Sequence, residues 1–313
     1  MFSDMMWVAF AVIVVVLLAL DLGVFNRKSH VIGVKEALIM SAFWIGIALA
    51  FNAVIFWQMG SQSGLEYTAA YVMEKALSVD NLFVFIIIFA FFGIAGEYQH
   101  KILFYGIIGA LVFRAIFIFA GVTLVEKFDW LLYIFGIFLL ITAVKLAVQK
   151  DHKMDPDKNI VVRGFRKIMP VSTDSHGGKF FVRTAQGALA ATPLFLALLV
   201  IETTDIVFAI DSIPAVMGIT TDMFIVYTSN VFAILGLRSL YFALAGIMSA
   251  MYYLKYGLAV ILAFVGVKML LPIWGYHVDV VVSLAFILSV LLISIVASVI
   301  RNKHLKKTKA PAQ

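Results

Sequence analysis

Three carboxylates lie within one apolar segment of the chain. The run ETTDIVFAIDSIP (202–214) contains Glu202, Asp205 and Asp211, and no other charged residue occurs between residues 193 and 218. The segment is apolar enough to cross a bilayer, and an ionised carboxylate in hydrocarbon costs at least about 2.5 kcal/mol. These acids must therefore pair with cations, bind an ion, carry protons or face water.

A second acidic stretch occurs earlier in the chain. The run YVMEKALSVDNLFVF (71–85) contains Glu74 and Asp80 in an equally apolar setting. Both stretches place an acid, five residues, an aspartate and then a small polar residue. Aligning the stretches matches Asp80 with Asp211, Glu74 with Asp205, Ser78 with Ala209, and Asn81 with Ser212.

The spacing of these acids limits how one helix could present them. Residues six apart on an α-helix differ by about 120° in direction and by about 9 Å in height. Two such acids reach one small ion only if the helix is distorted or another segment contributes. Pro214 provides a distortion, because it cannot donate a hydrogen bond to the Ile210 carbonyl. That freed oxygen would lie beside Asp211.

The predicted site is a metal site with oxygen ligands only. Its ligands are Glu74, Asp80, Glu202, Asp205 and Asp211, with Ser78, Asn81, Ser212 and Pro214 in support. Such a set suits Mg²⁺, Ca²⁺ or Mn²⁺ better than Cu⁺ or Zn²⁺, and the residues alone do not choose among the three. Carboxylates that release a metal can take up protons, which predicts exchange of metal for protons.

The same acids could instead be fully ion-paired and purely structural. The basic residues within the apolar segments are Lys75, Lys145, Lys268, Arg114 and Arg238. The three lysines lie towards the ends of their segments, where long side chains reach the interface. Two deep arginines remain for five acids, which favours a bound cation or a proton relay. We expect both arginines to neutralise the site when the metal is absent.

Composition predicts a polytopic membrane protein with an all-α helical bundle. Hydrophobic residues make up 63% of the 313 and charged residues 13%, against about half and a quarter in soluble domains. Apolar runs of about 20 residues suit membrane-spanning helices. Nine spans are predicted, at 5–25, 37–58, 70–93, 102–122, 129–148, 193–217, 223–246, 256–272 and 278–300.

The spans divide into repeated units. LVFRAIFIFAG (111–121) resembles LGLRSLYFALAG (235–246), which matches Arg114 with Arg238. Each unit has three helices, so two tandem copies must be inverted in the membrane, as in many transporters. The predicted organisation is two N-terminal helices (1–58), repeat 1 (70–148), a cytoplasmic loop (149–192) in which 180–184 could form a short strand, repeat 2 (193–272), and a last helix with a basic tail (273–313).

Charge and motifs set the location and exclude several functions. The lysines and arginines of the loops fall almost entirely on alternate connections, which predicts an inner-membrane protein with its N-terminus outside and its C-terminus in the cytoplasm. The basic tail suits anionic lipid and needs no nucleic acid. Cysteine is absent, and no hydrolase or phosphate-binding motif occurs. We therefore expect no enzyme and no organic cofactor.

Several long motifs resemble those of the TerC family of bacterial membrane proteins, and within it the Alx branch. They are EKALSVDNLFVF, ETTDIVFAIDSIPAV, TSNVFAILGLRSLYF and YGLAVILAFVGVKML. The resemblance implies manganese export in which intramembrane acids are essential, and Glu74, Asp80, Glu202, Asp205 and Asp211 match those acids by motif.

Two alternatives to export stay open. One is a membrane scaffold that loads Mn²⁺ into exported proteins, with secretion-machinery or metalloprotein partners. The other is a structural stress protein linked to tellurium resistance, with its acids ion-paired.

Overall fold

The computed structural model describes residues 2–21, 33–148, 160–172, 176–183, 187–245 and 252–309. It is built almost entirely of α-helices, which confirms the predicted all-α polytopic bundle. The helices are α1 (Phe2–Leu20), α2 (Val34–Met59), α3 (Ser61–Phe91), α4 (Gly96–Lys127), α5 (Leu131–Val148), α6 (Ile160–Ile168), α7 (Pro193–Met217), α8 (Met223–Leu235), α9 (Leu237–Ala245), α10 (Leu254–Leu270) and α11 (Val280–Lys309).

The number of membrane spans is not confirmed as nine. Within the described residues, six helices are long and apolar enough to cross a bilayer, and the bent pair α8–α9 would make a seventh. Helix α1 is also apolar, over the described residues Met5–Leu20, and is not counted among these six. Helix α3 has 31 residues, enough to span, but it carries Glu66, Glu74, Lys75 and Asp80. Helix α3 is therefore not counted as an apolar span mainly because it contains the acidic stretch 71–85.

The predicted span at 223–246 corresponds to two helices, α8 and α9, which meet at a break and differ in direction by 43°. The break lies at Gly236, where an added Cβ would meet Lys75 Nζ at 2.7 Å and Trp44 Cβ at 3.1 Å. Lys75 Nζ donates a hydrogen bond of 2.8 Å to the Ala233 carbonyl oxygen. The last carbonyls of a helix lack helical partners, so the lysine from α3 stabilises the end of α8.

The segment between α5 and α7 has local structure of its own. Helix α6 packs against α7, and strand β1 (Phe181–Arg183) pairs antiparallel with β2 (Leu189–Ala191). The strand predicted at 180–184 is confirmed. Residues 149–159, 173–175 and 184–186 of the predicted loop lie outside the described chain.

Close helix packing positions the acidic stretches at the centre of the bundle. Helix α3 packs chiefly on α8, and α4 packs chiefly on α7. Helices α5 and α10 approach most closely at Gly136 and Gly266, where a Cβ on either glycine would lie 3.0 or 2.8 Å from the other's carbonyl oxygen. Small residues that let backbones approach stabilise helix pairs in lipid. Outward-facing apolar side chains, such as Ile141, Leu292 and Ile293, suit a lipid environment.

Candidate functional site

A fully buried arginine lies where α3, α4, α7 and α8 meet. Arg114 on α4 is 1% exposed, and its Nη1 forms a salt bridge with Glu74 Oε1. Its Nη2 lies 3.5 Å from Asp205 Oδ1, and its Nε lies 3.5 Å from Asp205 Oδ2. The guanidinium thus faces one carboxylate from each acidic stretch. We call Arg114, Glu74 and Asp205 the Arg114 centre.

Two neutral side chains complete the hydrogen bonding of this centre. Arg114 Nη1 lies 3.1 Å from Asn230 Oδ1 and 3.5 Å from Ser212 Oγ. Asn230 Nδ2 donates a bond of 3.0 Å to Glu74 Oε2. Glu74 is completely buried, so both of its oxygens need such partners, because a buried charge without hydrogen bonds is costly. The predicted Ser212 does contact the site, although through the arginine.

Glu202 lies beside the Arg114 centre, and it forms no salt bridge with any residue that the structure describes. It precedes Asp205 by three residues on α7, so the two carboxylates share a helix face. Its carboxylate covers Gly109 of α4, where an added Cβ would meet both carboxylate oxygens at 2.1 Å. Its Oε2 is buried and has no hydrogen-bond partner among the described residues. Glu202 is therefore the least compensated acid of the site.

Asp211 faces a different part of the molecule from Asp205, as the six-residue spacing predicts. Thr142 Oγ1 of α5 lies 3.4 Å from Asp211 Oδ1. Both residues line a partly open cavity of about 400 Å³, together with Asn81, Lys145 and Ser212. Ser212 belongs to this wall and also contacts Arg114, so the cavity reaches the Arg114 centre through one side chain. We call it the Asp211 cavity.

The second deep arginine lies apart from these acids. Arg238 on α9 forms a salt bridge with Asp21, at the end of α1. Both residues are buried, and Nη1 of Arg238 has no hydrogen-bond partner within the described chain. Arg238 therefore does not pair with Glu74, Glu202, Asp205 or Asp211, the four acids of the predicted site whose side chains the structure describes. Arg238 and Asp205 line the same small cavity.

The structure brings together only part of the predicted ligand set. Glu74, Asp205 and Glu202 are neighbours, whereas Asp211 faces its own cavity and the side chain of Asp80 lies outside what the structure describes. Among the described side chains, no three of His, Asp and Glu come together as a group that could hold a metal. Arg114 lies between the carboxylates instead.

Of the supporting residues, Asn81 and Ser212 line the Asp211 cavity. The Ser78 hydroxyl is buried without a partner in the described region. Helix α7 runs unbroken through Pro214, so the predicted distortion does not end the helix. Pro214 has no N–H to donate to the Ile210 carbonyl oxygen. Ile210 itself lines the Asp211 cavity.

Three buried contacts involve residues that the sequence did not assign to the site. Asn230 and Asp21 make interhelical contacts, each with a buried arginine. Lys75 was expected near an interface, yet it stabilises the broken helix. One signal for Asn230 is visible in the sequence, because it is a single amide in the otherwise apolar run around TSNVFAIL. Nothing in the sequence links Asp21 with Arg238 across 217 residues.

Comparison with known proteins agrees with this architecture. Residues 59–306 match the model of the integral membrane protein TerC family. An uncharacterized membrane protein of Myxococcus xanthus is 48% identical over 310 residues, covering 99% of this chain and 97% of the relative. A protein of Escherichia coli K12 with the printed name "Putative membrane-bound redox modulator Alx" is 42% identical over 303 residues, covering 94% of each chain. A protein of Salmonella typhi with the same name is also 42% identical.

No solved structure matches the chain. The match to the family model covers most of the 313 residues, including both acidic stretches and both deep arginines, and the relatives align over nearly their whole length. This chain is a multi-pass membrane protein of the TerC family.

Proposed function

We propose that this protein exports a divalent metal ion, Mn²⁺, across the inner membrane in exchange for protons. The N-terminus would lie outside and the C-terminus in the cytoplasm, as the distribution of basic residues favours. The site would lie where the two predicted inverted repeats meet. The packing of α3 on α8 and of α4 on α7 supports such a relation, because each first helix of one repeat contacts a second helix of the other.

The charge balance at the Arg114 centre carries this proposal. Glu74, Asp205 and the adjacent Glu202 contribute three negative charges when ionised, and Arg114 contributes one positive charge. The net charge of minus two equals what one divalent cation or two protons would neutralise. Leaving it uncompensated within hydrocarbon would cost several kcal/mol by analogy with single buried ions. Alternating occupation by metal and protons keeps the charge balanced throughout a transport cycle.

Arg114 occupies the place that a cation would take between the carboxylates. In the cation-free state it holds Glu74 and Asp205 apart and satisfies their oxygens. An arriving metal ion would compete with the guanidinium for Asp205, whose two contacts with Arg114 are long at 3.5 Å. Glu74, with its amide partner Asn230, would remain the anchor of the arginine. Asp205 and Glu202 are thus the first ligands that an ion would reach.

The Asp211 cavity provides the approach to this site. Its polar wall consists of Asn81, Thr142, Lys145, Asp211 and Ser212. Asp211 would attract a cation there, and Ser212 would pass it towards the Arg114 centre. Asp80, the predicted ligand from the first acidic stretch, directly precedes Asn81 in the sequence. All of these groups offer oxygen ligands apart from Lys145, which suits a hard cation such as Mn²⁺.

A transport assay tests the proposal. Protein in lipid vesicles would be loaded with a pH-sensitive dye, and Mn²⁺ flux and internal pH would be followed together. We expect coupled Mn²⁺ and proton movement in the parent protein and its loss in Asp80→Asn and in Asp211→Asn. Asp279→Asn is the matched control, because Asp279 accepts a bond from the Val281 amide at the exposed start of α11. Flux like that of the parent in both site variants would refute the assigned roles.

A structural role for the acids is the second candidate. It is favoured by one observation, the sharing of Arg114 between Glu74 and Asp205. The double variant Glu74→Gln with Arg114→Gln separates the candidates. A structural pair predicts that the double variant regains both fold and Mn²⁺ flux, whereas a transport role predicts that flux stays lost even if the fold is regained.

A further inference from the structure

Two cavities of very different size adjoin the Arg114 centre. Asp205 lines a cavity of only about 10 Å³, which has room for about one water molecule. Ser212 lines the Asp211 cavity of about 400 Å³. The small cavity follows α7 around Ile201 and Asp205, and the large one follows the next stretch from Val207 to Ser212. From the two volumes we infer that the small cavity is the closed side of the Arg114 centre and that the Asp211 cavity is its open side.

The closed side ends at the second deep arginine. Arg238 lines the small cavity together with Asp205, Ala110 and Leu237. Arg238 is 4% exposed, its salt bridge runs to Asp21, and its Nη1 finds no partner among the described residues. Nη2 of Arg238 thus contacts Asp21 at the end of α1, whereas Nη1 makes no hydrogen bond within the described chain. A buried donor without a hydrogen-bond partner is unfavourable, so a conformation in which Arg238 Nη1 finds an acceptor would be favoured over this one.

We propose that the Asp21–Arg238 pair is the gate that closes the transport route on the side of the small cavity. This assignment rests on the proposed transport function. In the closed state, Asp21 holds the guanidinium at the end of the route, where its positive charge repels a cation waiting at Asp205. In the open state, Arg238 moves away from this wall, and the break between α8 and α9 at Gly236 supplies the hinge.

The position of the pair in the fold supports a gate more than a simple structural tie. Asp21 belongs to α1, which is separate from the helices that contribute to the Arg114 centre, whereas Arg238 begins the second half of a broken helix. Moving α9 relative to α1 would separate the pair while leaving Asn230, on α8, in contact with Glu74. Discontinuous helices also border the substrate sites of other transporter folds.

Thiol labelling tests the gate without measuring transport. The sequence has no cysteine, so one introduced cysteine reports on one place. Ala110→Cys places a thiol on the wall of the small cavity, and Thr142→Cys places one in the Asp211 cavity. The protein would be labelled in vesicles with a membrane-impermeant maleimide present on both sides. We expect fast labelling at position 142 and slow labelling at position 110.

Opening the gate should change the labelling rate of the cysteine at position 110 and leave that at position 142 unchanged. Adding Asp21→Asn should speed labelling of Ala110→Cys by about tenfold or more, which corresponds to about 1.4 kcal/mol less closing free energy. Labelling of Thr142→Cys should not change. Asp21→Glu keeps the carboxylate and should keep position 110 slow. Since Asp21→Asn could misfold by leaving Arg238 without its carboxylate, the double change Asp21→Asn with Arg238→Gln removes both charges and should also give fast labelling.

The result is separable from that of the transport assay. Slow labelling of position 110 in both the single and the double variant would overturn the gate, even if Mn²⁺ flux is intact. Fast labelling of position 110 before any gate substitution would also overturn it, because the route would already be open on that side. Accelerated labelling without Mn²⁺ flux in the parent would keep the gate and reject manganese as the substrate.

Discussion

The two deep arginines have similar sequence surroundings and different electrostatic environments. Arg114 and Arg238 match in the predicted repeat and are 1% and 4% exposed. Arg114 faces two carboxylates, an amide and a hydroxyl, whereas Arg238 has a salt bridge with Asp21 and an arm without a partner in the described chain. An arginine whose N–H groups all have partners stabilises the packing of its helices, whereas an arginine with an unpaired N–H can form a further contact after a movement. We therefore expect the Arg114 centre to stay in place and Arg238 to move.

Removing each arginine should give the largest contrast. Arg114→Gln leaves Glu74 and Asp205 buried without a cation, and breaking a buried ion pair costs about 3–5 kcal/mol. Arg238→Gln leaves only Asp21, near the end of α1, and should cost clearly less. Thermal unfolding of the purified proteins in detergent measures both. Equal losses of stability would remove the distinction between the two centres.

The acids around Arg114 should also differ from one another. Asp205→Asn weakens a charged hydrogen-bond pair and should destabilise the fold by about 1.5–3 kcal/mol. Glu202→Gln removes a carboxylate that has no cation beside it, so stability should stay the same or rise. The same unfolding assay compares the two variants. A larger loss in Glu202→Gln than in Asp205→Asn would mean that Glu202 is already neutralised by a partner, contrary to the charge balance argued above.

Lys75 ties the broken helix that carries residues of both centres. Lys75→Met removes the hydrogen bond to the Ala233 carbonyl and leaves that oxygen unsatisfied, at a cost of about 1–3 kcal/mol. Gln62→Ala is the control, because Gln62 Nε2 donates a 2.9 Å bond to Glu66 Oε1 in an exposed position on the same helix. Water can replace the lost partner there, so the control should lose less. Loss of stability in the control equal to that in Lys75→Met would contradict a special role for the break.

The smallest change tests where the Glu202 carboxylate must lie. Gly109→Ala would place a methyl group 2.1 Å from its oxygens and push the carboxylate away. We expect the KM for Mn²⁺ to rise by about tenfold, equivalent to about 1.4 kcal/mol, with stability nearly unchanged because alanine favours helix. Gly121→Ala on the same helix makes only ordinary van der Waals contacts, with Met217 Sδ at 3.5 Å and Ile213 Cγ2 at 3.9 Å, and should behave like the parent. An unchanged KM for Mn²⁺ in Gly109→Ala would mean that Glu202 does not take part in binding the ion.

The all-α membrane bundle could be predicted from the sequence because composition and the length of the apolar runs decide it. The prediction that Asp205 and Asp211 face different neighbours also agrees with the structure, since helical spacing alone requires it. The break at Gly236 was missed because one glycine inside an apolar run is ordinarily tolerated. It depends on Lys75 and Trp44, which approach from other helices.

The pairing of Asp21 with Arg238 depends on tertiary structure in the same way. Both residues are visible as polar groups in apolar runs, but no spacing rule connects α1 with α9. The predicted repeat suggested equal roles for the two arginines. Equal positions in a repeat do not give equal partners, because α1 lies outside both units and supplies a carboxylate to only one of them.

Binding of Mn²⁺ to the purified protein tests the central claim most directly. Equilibrium dialysis against Mn²⁺, with bound metal counted per chain, would compare the parent with Glu202→Gln, Asp211→Asn and the Asp279→Asn control. We predict saturable binding near one ion per chain, weakened about tenfold or more by either site substitution and unchanged in the control. Absence of saturable binding, or equal binding in all four proteins, would contradict a mobile cation as the balance for the buried carboxylates.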